Sequence, residues 1–377
     1  NLKIIIVYLG YKKECEVMSM KVLIFTGAFG MGHYSVAKAV KEEILKDNPC
    51  ATVIIIDMIE YIFPKISKLI YGTFNFMVRK FSLIYNFFNK IISRRTSTPL
   101  KKSVIKKLDL LFEDNDIDMI ISTFPVCSQY ISMYKKMKNY HTPLYTYITD
   151  LGVNEEWICE KTDMYFVGSE KTKKFLIDKN LPKEKIIVSG IPVKQDFKEK
   201  NVIKQLNKKK EILVMGGGLG LVPCSIDLLK KISKEEDIKI TFIAGKNKIL
   251  LEEIKKECPK INVLGYTDKI SEYMRKSDLI ITKAGGITLF EAIFSEIPIY
   301  VIKPFLYQEI ENAKYIEDTG IGKVIWHNGT DIYEDVTSLI KNELLLEVIK
   351  TNIRNEKSKL ENVSPLNYYN GGEELCY

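Results

Sequence analysis

The chain has 377 residues, with 56 Lys and Arg against 48 Asp and Glu, and a formal net charge of +8 at pH 7. At roughly 150 residues per domain, this length allows two or three domains with separate cores. The 46% hydrophobic and 28% charged residues are typical of globular proteins and exclude a disordered, collagen-like or coiled-coil chain. No run reaches the ~20 apolar residues of a membrane span, and the apolar stretch 4–9 lacks a signal-peptide continuation. We therefore expect a cytoplasmic protein.

Cysteine and histidine form no metal-binding pattern. The seven cysteines are scattered without a C-x-x-C pair, and the three histidines, at positions 33, 141 and 327, are far apart. We expect reduced, mostly buried thiols and no zinc site.

The first half of the chain alternates short β-branched runs with helical periods. Residues 1–19 are expected to be an N-terminal extension with little function. The elements predicted after it are strand 21–26, helix 33–46, strand 52–57, basic helices within 60–95, helix 100–113, strand 117–122, helix 127–138, strands 143–149 and 163–167, helix 169–179 and strand 186–189. This alternation is typical of a parallel sheet covered by helices on both faces.

The entire excess of basic over acidic residues lies between residues 61 and 108. This segment has eleven basic residues and no acidic one, while the other 45 basic residues stand against 48 acidic ones, a balance of −3. It also contains nine of the forty aromatic residues. From residue 66 to 93, apolar side chains recur every three or four positions with polar ones opposite, which predicts one or two amphipathic helices.

A basic, aromatic and amphipathic segment is typical of an element that lies on an anionic membrane surface. A core helix with a solvated polar face is the alternative, but the absence of acidic residues favours the membrane. Nucleic acid is disfavoured because the apolar face is continuous. The residues predicted to contact the membrane are Phe74, Arg79, Lys80, Phe81, Phe87, Phe88, Arg94 and Arg95.

The stretch 190–210 contains a proline and three consecutive lysines, and it predicts a linker. The second series of elements is strand 211–215, helix 223–233, strand 239–244, helix 247–257, strand 261–265, helix 269–276, strand 278–282, helix 287–295, strand 298–302 and helix 308–318. We predict an α/β protein with two doubly wound parallel-sheet (Rossmann-like) domains. Their bounds are 20–195 and 196–345, followed by a C-terminal helix and tail at 346–377. Ligands of such sheets bind at the carboxyl ends of the strands, so the cleft between the domains is the expected site.

The turn after the first strand reads GAFGMGH from residue 27 to 33. Gly30 and Gly32 let the backbone approach a ligand, and free N–H groups at the helix start favour an anion or a polar group. His33 at that helix start is a candidate proton acceptor, because a helix N-terminus lowers the pKa of an imidazole. Any tight turn would use glycine, so this motif alone is weak.

Glycines also follow the first strand of the second series. Gly217 and Gly218 can cradle a phosphate, but their spacing is not the dinucleotide fingerprint, which disfavours NAD.

Two later turns carry residue types that suit a sugar nucleotide. Gly285, Gly286 and Thr288 open a helix whose amide end suits a diphosphate. Glu291, one turn further on the same face, can accept the two hydroxyls of a ribose. At the next strand end, the residues suited to sugar hydroxyls are Gln308, Glu309 and Asn312.

With these motifs the chain resembles the processive diacylglycerol β-glycosyltransferases and monogalactosyldiacylglycerol synthases, over roughly residues 20–345. The most specific matches are GMGH at 30–33, GIPV at 190–193, ILVMGGGLG at 212–220 and the run within 278–313 from DLIITKAGGITLFEA to QEIENA. The resemblance implies the two-domain GT-B fold, shared with the peptidoglycan N-acetylglucosaminyltransferase. It further implies that 20–195 binds the lipid acceptor and that 196–345 binds the UDP-sugar donor.

The family implies an inverting transfer from a UDP-hexose to the hydroxyl of diacylglycerol, and often onward to the glycolipid formed first. His33 matches the proposed catalytic base, and Glu291 matches the carboxylate that holds the ribose. Asp150 matches an acidic position near the cleft and is the rival base. The other matching positions are Gly217 and Gly218 facing the donor, Gly285, Gly286 and Thr288 at the diphosphate, and Gln308 and Glu309 at the donor sugar.

One departure from the family concerns histidine. Similar sequences tend to have a histidine four residues after the aspartate, where this chain has Asn154. Any role of that second histidine cannot apply here.

The resemblance implies that helix-end amides stabilise the leaving UDP where other enzymes use a metal. Asp116 and Asp118 spell a D-x-D pattern, but at the amino end of a predicted strand, away from the cleft. We expect no metal and no other cofactor.

The expected protein is thus a peripheral enzyme on the inner face of the cell membrane, acting on a UDP-hexose, with glucose favoured over galactose, and on diacylglycerol. A lipid-linked peptidoglycan-precursor N-acetylglucosaminyltransferase, a UDP-sugar 2-epimerase and a non-catalytic sugar-nucleotide or lipid binding protein remain as alternatives. The number of sugars added and the oligomeric state are left open.

Overall fold

The computed structural model describes residues 20–29, 31–80, 101–113, 115–199, 209–218, 220, 222, 224–304, 306–327, 329–361 and 363–369. For residues 74–80, 101 and 307, it describes the backbone alone. Within these ranges the chain forms two six-stranded sheets, and every strand pair is parallel. The predicted α/β class with two parallel sheets is confirmed.

The first sheet has the order β2-β1-β3-β4-β5-β6. Its strands are β1 (Lys21–Thr26), β2 (Thr52–Asp57), β3 (Met119–Ser122), β4 (Leu144–Tyr147), β5 (Met164–Val167) and β6 (Ile186–Val188). The accompanying helices are α1 (Gly32–Asp47), α2 (Met58–Ile62), α3 (Ser67–Lys80), α4 (Lys101–Glu113), α5 (Pro125–Lys138), α6 (Glu170–Asp178) and α7 (Gln195–Lys198). The central strands β3, β4 and β5 are buried along their whole length because helices cover both faces.

The second sheet has the order β12-β11-β10-β7-β8-β9. Its strands are β7 (Lys210–Met215), β8 (Ile238–Ile243), β9 (Asn262–Leu264), β10 (Leu279–Thr282), β11 (Ile299–Ile302) and β12 (Gly322–Ile325). Its helices are α8 (Ile226–Ile232), α9 (Lys248–Glu257), α10 (Ile270–Lys276), α11 (Gly286–Phe294), α12 (Tyr307–Asp318), α13 (Ile332–Lys341) and α14 (Glu343–Ser358).

In the basic segment, residues 61–108, the helices differ from the predicted ones, which were expected to begin at residue 60. Helix α2 ends at Ile62, and α3 begins at Ser67, with Pro64 between them. Proline disfavours the helical conformation of the residue before it, which explains the break. Of the residues predicted to contact the membrane, only the backbones of Phe74, Arg79 and Lys80 are described, in α3; the others lie outside the described residues.

The end of the chain contains structure that the sequence did not predict. Strand β12 and helix α13 follow the last predicted helix, and the predicted boundary at 345/346 falls inside α14. Beyond α14 the chain returns to the first domain: Glu361 N donates to Val188 O at 2.9 Å, and the Tyr145 hydroxyl donates to Tyr368 O. The C-terminal segment therefore connects the two domains.

Two glycines lie where the two domains come into close contact. A Cβ on Gly286 would lie 2.5 Å from the carbonyl oxygen of Thr149, and a Cβ on Gly218 would lie 2.6 Å from Met31. Contacts this short do not occur for real side chains, so only glycine allows the strand ends of the two sheets to meet here. The buried core is continuous across this contact and includes residues of both sheets.

Candidate active site

A cavity of about 280 Å³ lies between the domains, at the carboxyl ends of the strands of both sheets. The first domain contributes the loop after β1 and the loop after β4. The second contributes the loops after β7, β10 and β11. Predicted site residues that line it are Gly32, His33, Asp150, Gly217, Gly218, Gly285, Gly286, Thr288, Glu291, Gln308, Glu309 and Asn312. The structure therefore brings these residues together, while Gly30 lies outside the described residues.

His33, in the first turn of α1, is held by one ring nitrogen. Its Nδ1 lies 2.9 Å from the carbonyl oxygen of Thr123 and 2.9 Å from the hydroxyl oxygen of Thr149. A carbonyl oxygen can only accept, so Nδ1 carries the proton and donates it. In the neutral ring Nε2 is then the unprotonated nitrogen, which is the form required of a base.

The surroundings of His33 keep it neutral. The ring of Phe124 lies 4.9 Å away and that of Trp157 lies 6.5 Å away, measured between centroids. Burial lowers the pKa of His33 to about 4, against a smaller opposing effect of the Thr123 carbonyl. The imidazole is therefore neutral at neutral pH, and its unprotonated Nε2 is able to accept a proton.

Asp150, after β4, faces the second domain. Its Oδ1 would lie 3.5 Å from a Cβ on Gly286. Burial raises the pKa of Asp150 to about 6, the positive charge of Lys283 lowers it, and Glu156 and Glu309 raise it. Asp150 thus lines the cavity between the domains, and its role as a base stays a prediction.

Helix α11 presents its amide end to the cavity. Gly285 is its N-cap, no described side chain caps it, and its first turn has no acidic residue. Helix α1 likewise begins after Met31 without a side-chain cap or an acid in its first turn. By contrast, α9 begins at a side-chain cap, that of Asn247. Uncapped amide ends with a partial positive charge suit an anionic ligand group such as a diphosphate.

Glu291 lies one turn along α11, on the side that lines the cavity. Burial raises the pKa of Glu291 to about 7, with a further upward effect from Asp196 and a downward one from Lys194. The pKa of this carboxyl group therefore lies close to neutral pH.

Lys283 is a site residue that the sequence reasoning missed. Its Nζ lies 3.1 Å from Oε1 of buried Glu309, and its Cε lies within 4.0 Å of where a Cβ would stand on Gly217 and on Gly285. The ammonium-bearing side chain therefore runs along both glycine loops. The sequence shows Lys283 between a predicted strand and a pair of glycines, but it does not show in which direction the side chain points.

Asn312 differs from its expected role at sugar hydroxyls. Its Oδ1 accepts from Leu151 N at 3.2 Å, and its Nδ2 donates to Ala284 O at 2.9 Å. The buried amide thus bridges the two domains. Gln308 and Glu309, on the first turn of the same helix α12, remain at the cavity wall.

The second aspartate of the D-x-D pattern has a structural role. Asp118, just before β3, accepts from Lys21 N at 2.7 Å, which joins the amino ends of β1 and β3. Within the described residues, no group of three or more His, Cys, Asp and Glu is placed to hold a metal ion.

Two family descriptions match this chain. Residues 33–193 match the monogalactosyldiacylglycerol (MGDG) synthase family, and residues 211–363 match the glycosyltransferase family 28 C-terminal domain. A processive diacylglycerol beta-glucosyltransferase of Bacillus cereus (strain AH187) is 29% identical over 349 residues, 89% of each chain. These matches identify the chain as a glycosyltransferase that is similar to the monogalactosyldiacylglycerol synthase family in its first domain and to glycosyltransferase family 28 in its second.

The fold of this glycosyltransferase is GT-B. MurG of Acinetobacter baumannii superposes with a TM-score of 0.57 at 14% identity, over 89% of this chain and 95% of MurG. A UDP-GlcNAc 2-epimerase from Neisseria meningitidis, bound to UDP-GlcNAc, reaches 0.51 at 16% identity, over 90% and 99%. Because a UDP-sugar epimerase shares the architecture, the fold alone does not distinguish transfer from epimerisation.

Proposed function

We propose that this glycosyltransferase transfers a hexose, with glucose favoured over galactose, from a UDP-sugar to the free hydroxyl of 1,2-diacylglycerol with inversion of configuration. The observation that carries the proposal is the arrangement of one cavity: His33 on the first domain faces the uncapped amide end of α11 on the second. The similarity to the diacylglycerol beta-glucosyltransferase of Bacillus cereus supports diacylglycerol as the acceptor.

The first domain supplies the base. With Nδ1 donating to Thr123, the free Nε2 of His33 accepts the proton of the acceptor hydroxyl as its oxygen attacks the anomeric carbon. Attack from the face opposite the leaving group inverts the configuration. Asp150 is the second candidate for this step, because its pKa of about 6 leaves it largely ionised at neutral pH.

The second domain stabilises the leaving group. Negative charge develops on the UDP diphosphate as the glycosidic bond breaks. The N–H groups of Gly286 and its neighbours, together with the ammonium of Lys283, balance this charge, which the uncapped start of α11 and the course of the Lys283 side chain along the glycine loops support. Glu291 accepts ribose hydroxyls, and Gln308 and Glu309 contact the sugar. These groups support a reaction without a resident metal or other cofactor.

The first domain also contains a surface that suits lipid. Ile66 and Leu69 are 48% and 70% exposed at α3, and Leu110 of α4 is 58% exposed. Four lysines close to them in the sequence, at positions 65, 68, 102 and 106, are exposed as well. Exposed apolar and basic side chains together favour the surface of an anionic membrane. No helix in the described part of the chain has the length and hydropathy of a membrane span. We therefore infer peripheral binding, on the inner face of the cell membrane.

The proposal is tested by incubating the enzyme with vesicles that contain diacylglycerol and with radiolabelled UDP-glucose or UDP-galactose. We expect lipid-soluble label and equimolar UDP, with UDP-glucose the better donor. Resolving products by the number of sugars gives the processivity. UDP-sugar epimerisation without transfer would favour the epimerase alternative, and donor binding without UDP release would favour a binding protein.

A further inference from the structure

Three aromatic rings connect helix α3 with His33. The centroids of Tyr71 and Phe29 lie 5.0 Å apart, and those of Phe29 and Phe124 also lie 5.0 Å apart, with planes inclined by 22°. Phe124 in turn lies 4.9 Å from the imidazole of His33. All three aromatic residues are partly exposed. They therefore form a continuous aromatic strip from the lipid-facing helix to the proposed base.

Hydrogen bonds fix the outer end of this strip. The hydroxyl of Tyr71 donates to Oδ1 of Asp57 at 2.5 Å. Ala28 N donates to Oδ2 of Asp57 at 3.2 Å and lies 3.1 Å from the Tyr71 oxygen. Asp57 also caps α2 by accepting from two of its first amides. Helices α2 and α3 and the loop that carries Phe29 are thereby joined at one carboxylate.

The chemistry of the strip matches one part of the proposed acceptor. Diacylglycerol has two ester-linked apolar chains and a single free hydroxyl. Its chains favour contact with apolar aromatic surface, and only the hydroxyl must reach Nε2 of His33. The exposed side chains of Ile66 and Leu69 place the start of the strip, on α3, beside the surface inferred to meet the membrane.

We propose that Tyr71, Phe29 and Phe124 form an acceptor track, which holds the glyceryl ester and first acyl carbons of the lipid while its hydroxyl reaches His33. This inference rests on the proposed function, because it takes the His33 side of the cavity as the acceptor side. The glycines of the donor side lie across the cavity, on the second domain. Loss of a ring from the track therefore weakens lipid binding and leaves nucleotide binding intact.

The test is the variant Phe29→Ala, with Phe175→Ala as its control. Phe175 is a partly buried aromatic residue of α6 that does not line the cavity. Initial rates are measured against the mole fraction of diacylglycerol in vesicles and, separately, against the UDP-hexose that the wild type uses. We expect the KM for diacylglycerol to rise about tenfold. The KM for the nucleotide sugar should rise less than twofold, and all values for Phe175→Ala should stay within twofold of the wild type.

An unchanged KM for diacylglycerol, or an equal rise in the nucleotide KM, overturns the acceptor track. If Phe29→Ala is unfolded by circular dichroism, Phe29→Leu replaces it, with a smaller rise in the same parameter. A second measurement needs no variant: a diacylglycerol with a photoreactive group on its first acyl carbons should label peptides that contain Tyr71, Phe29 or Phe124. Labelling confined to other peptides contradicts the proposal. Failure of the proposed function gives a different result, in which the wild type transfers no hexose to diacylglycerol at all.

Discussion

At the scale of single residues, His33 shows what local sequence can and cannot reveal. Its place after a glycine turn at a helix start was readable from the sequence. The tautomer was not, because it is set by the carbonyl of Thr123, ninety residues away. The same limit applies to Asn312, whose amide bridges two loops, and to Lys283, whose direction depends on buried Glu309.

Replacing His33 by alanine tests its role as the base. We expect kcat to fall about 100-fold or more with a nearly unchanged KM for the UDP-sugar, because a base acts only in the transition state. The exposed His327→Ala is the matched control and should behave as the wild type. A near-normal rate in His33→Ala would contradict this role and would favour Asp150 as the base.

The raised pKa of Glu291 predicts a pH dependence of donor binding. Its carboxyl group is protonated below about pH 7 and ionised above, and the ionised form is the better acceptor for ribose hydroxyls. The KM for the UDP-sugar should therefore fall as the pH rises through about 7. In Glu291→Gln the KM should be higher and independent of pH over this range, whereas exposed Glu253→Gln should keep the wild-type profile. A wild-type profile in Glu291→Gln would contradict the assignment.

At the scale of helices and strands, the short β-branched runs of the sequence predicted the ends of most strands to within two or three residues. Buried parallel strands are continuous apolar runs, which makes them recognisable in a sequence. The predictions missed β12 and α13, after the last family motif. They also missed the return of the C-terminal segment to β6, since its backbone bond to Val188 is long-range and has no local pattern.

The basic segment carries a prediction about membrane binding. Reversing the charge at Arg79, Lys80, Arg94 and Arg95 should weaken binding to anionic vesicles and make the remaining binding insensitive to salt, since each basic residue contributes on the order of 1 kcal/mol. Reversal of Lys248, Lys256 and Lys260, which are exposed in the second domain, is the control. Unchanged sedimentation of the first variant with anionic vesicles would refute the membrane contact.

At the scale of the whole molecule, the net charge of +8 belongs to one segment of the first domain, because the rest of the chain carries −3. The proposed membrane surface, the proposed acceptor track and His33 are all on this domain, while the loops proposed to bind the nucleotide are on the other. The glycines at the domain contact let the two halves meet. The proposed division of lipid and nucleotide between the two domains would explain how one cavity serves a membrane substrate and a water-soluble one.

The absence of a metal requirement is a prediction for the complete enzyme. In the proposed mechanism, helix amides and Lys283 supply the positive charge that a divalent cation would otherwise provide. Activity should therefore survive treatment with EDTA. Activity that EDTA abolishes and that Mg²⁺ or Mn²⁺ restores would show that a metal takes part.

The choice of acceptor is the most direct test of the proposed hexose transfer to diacylglycerol. The measurement is a competition in which the enzyme receives one radiolabelled UDP-hexose or UDP-N-acetylglucosamine with diacylglycerol vesicles and a lipid-linked muropeptide together. We expect label from the UDP-hexose on diacylglycerol and none on the muropeptide. Label from UDP-N-acetylglucosamine on the muropeptide, with diacylglycerol left unmodified, would contradict it.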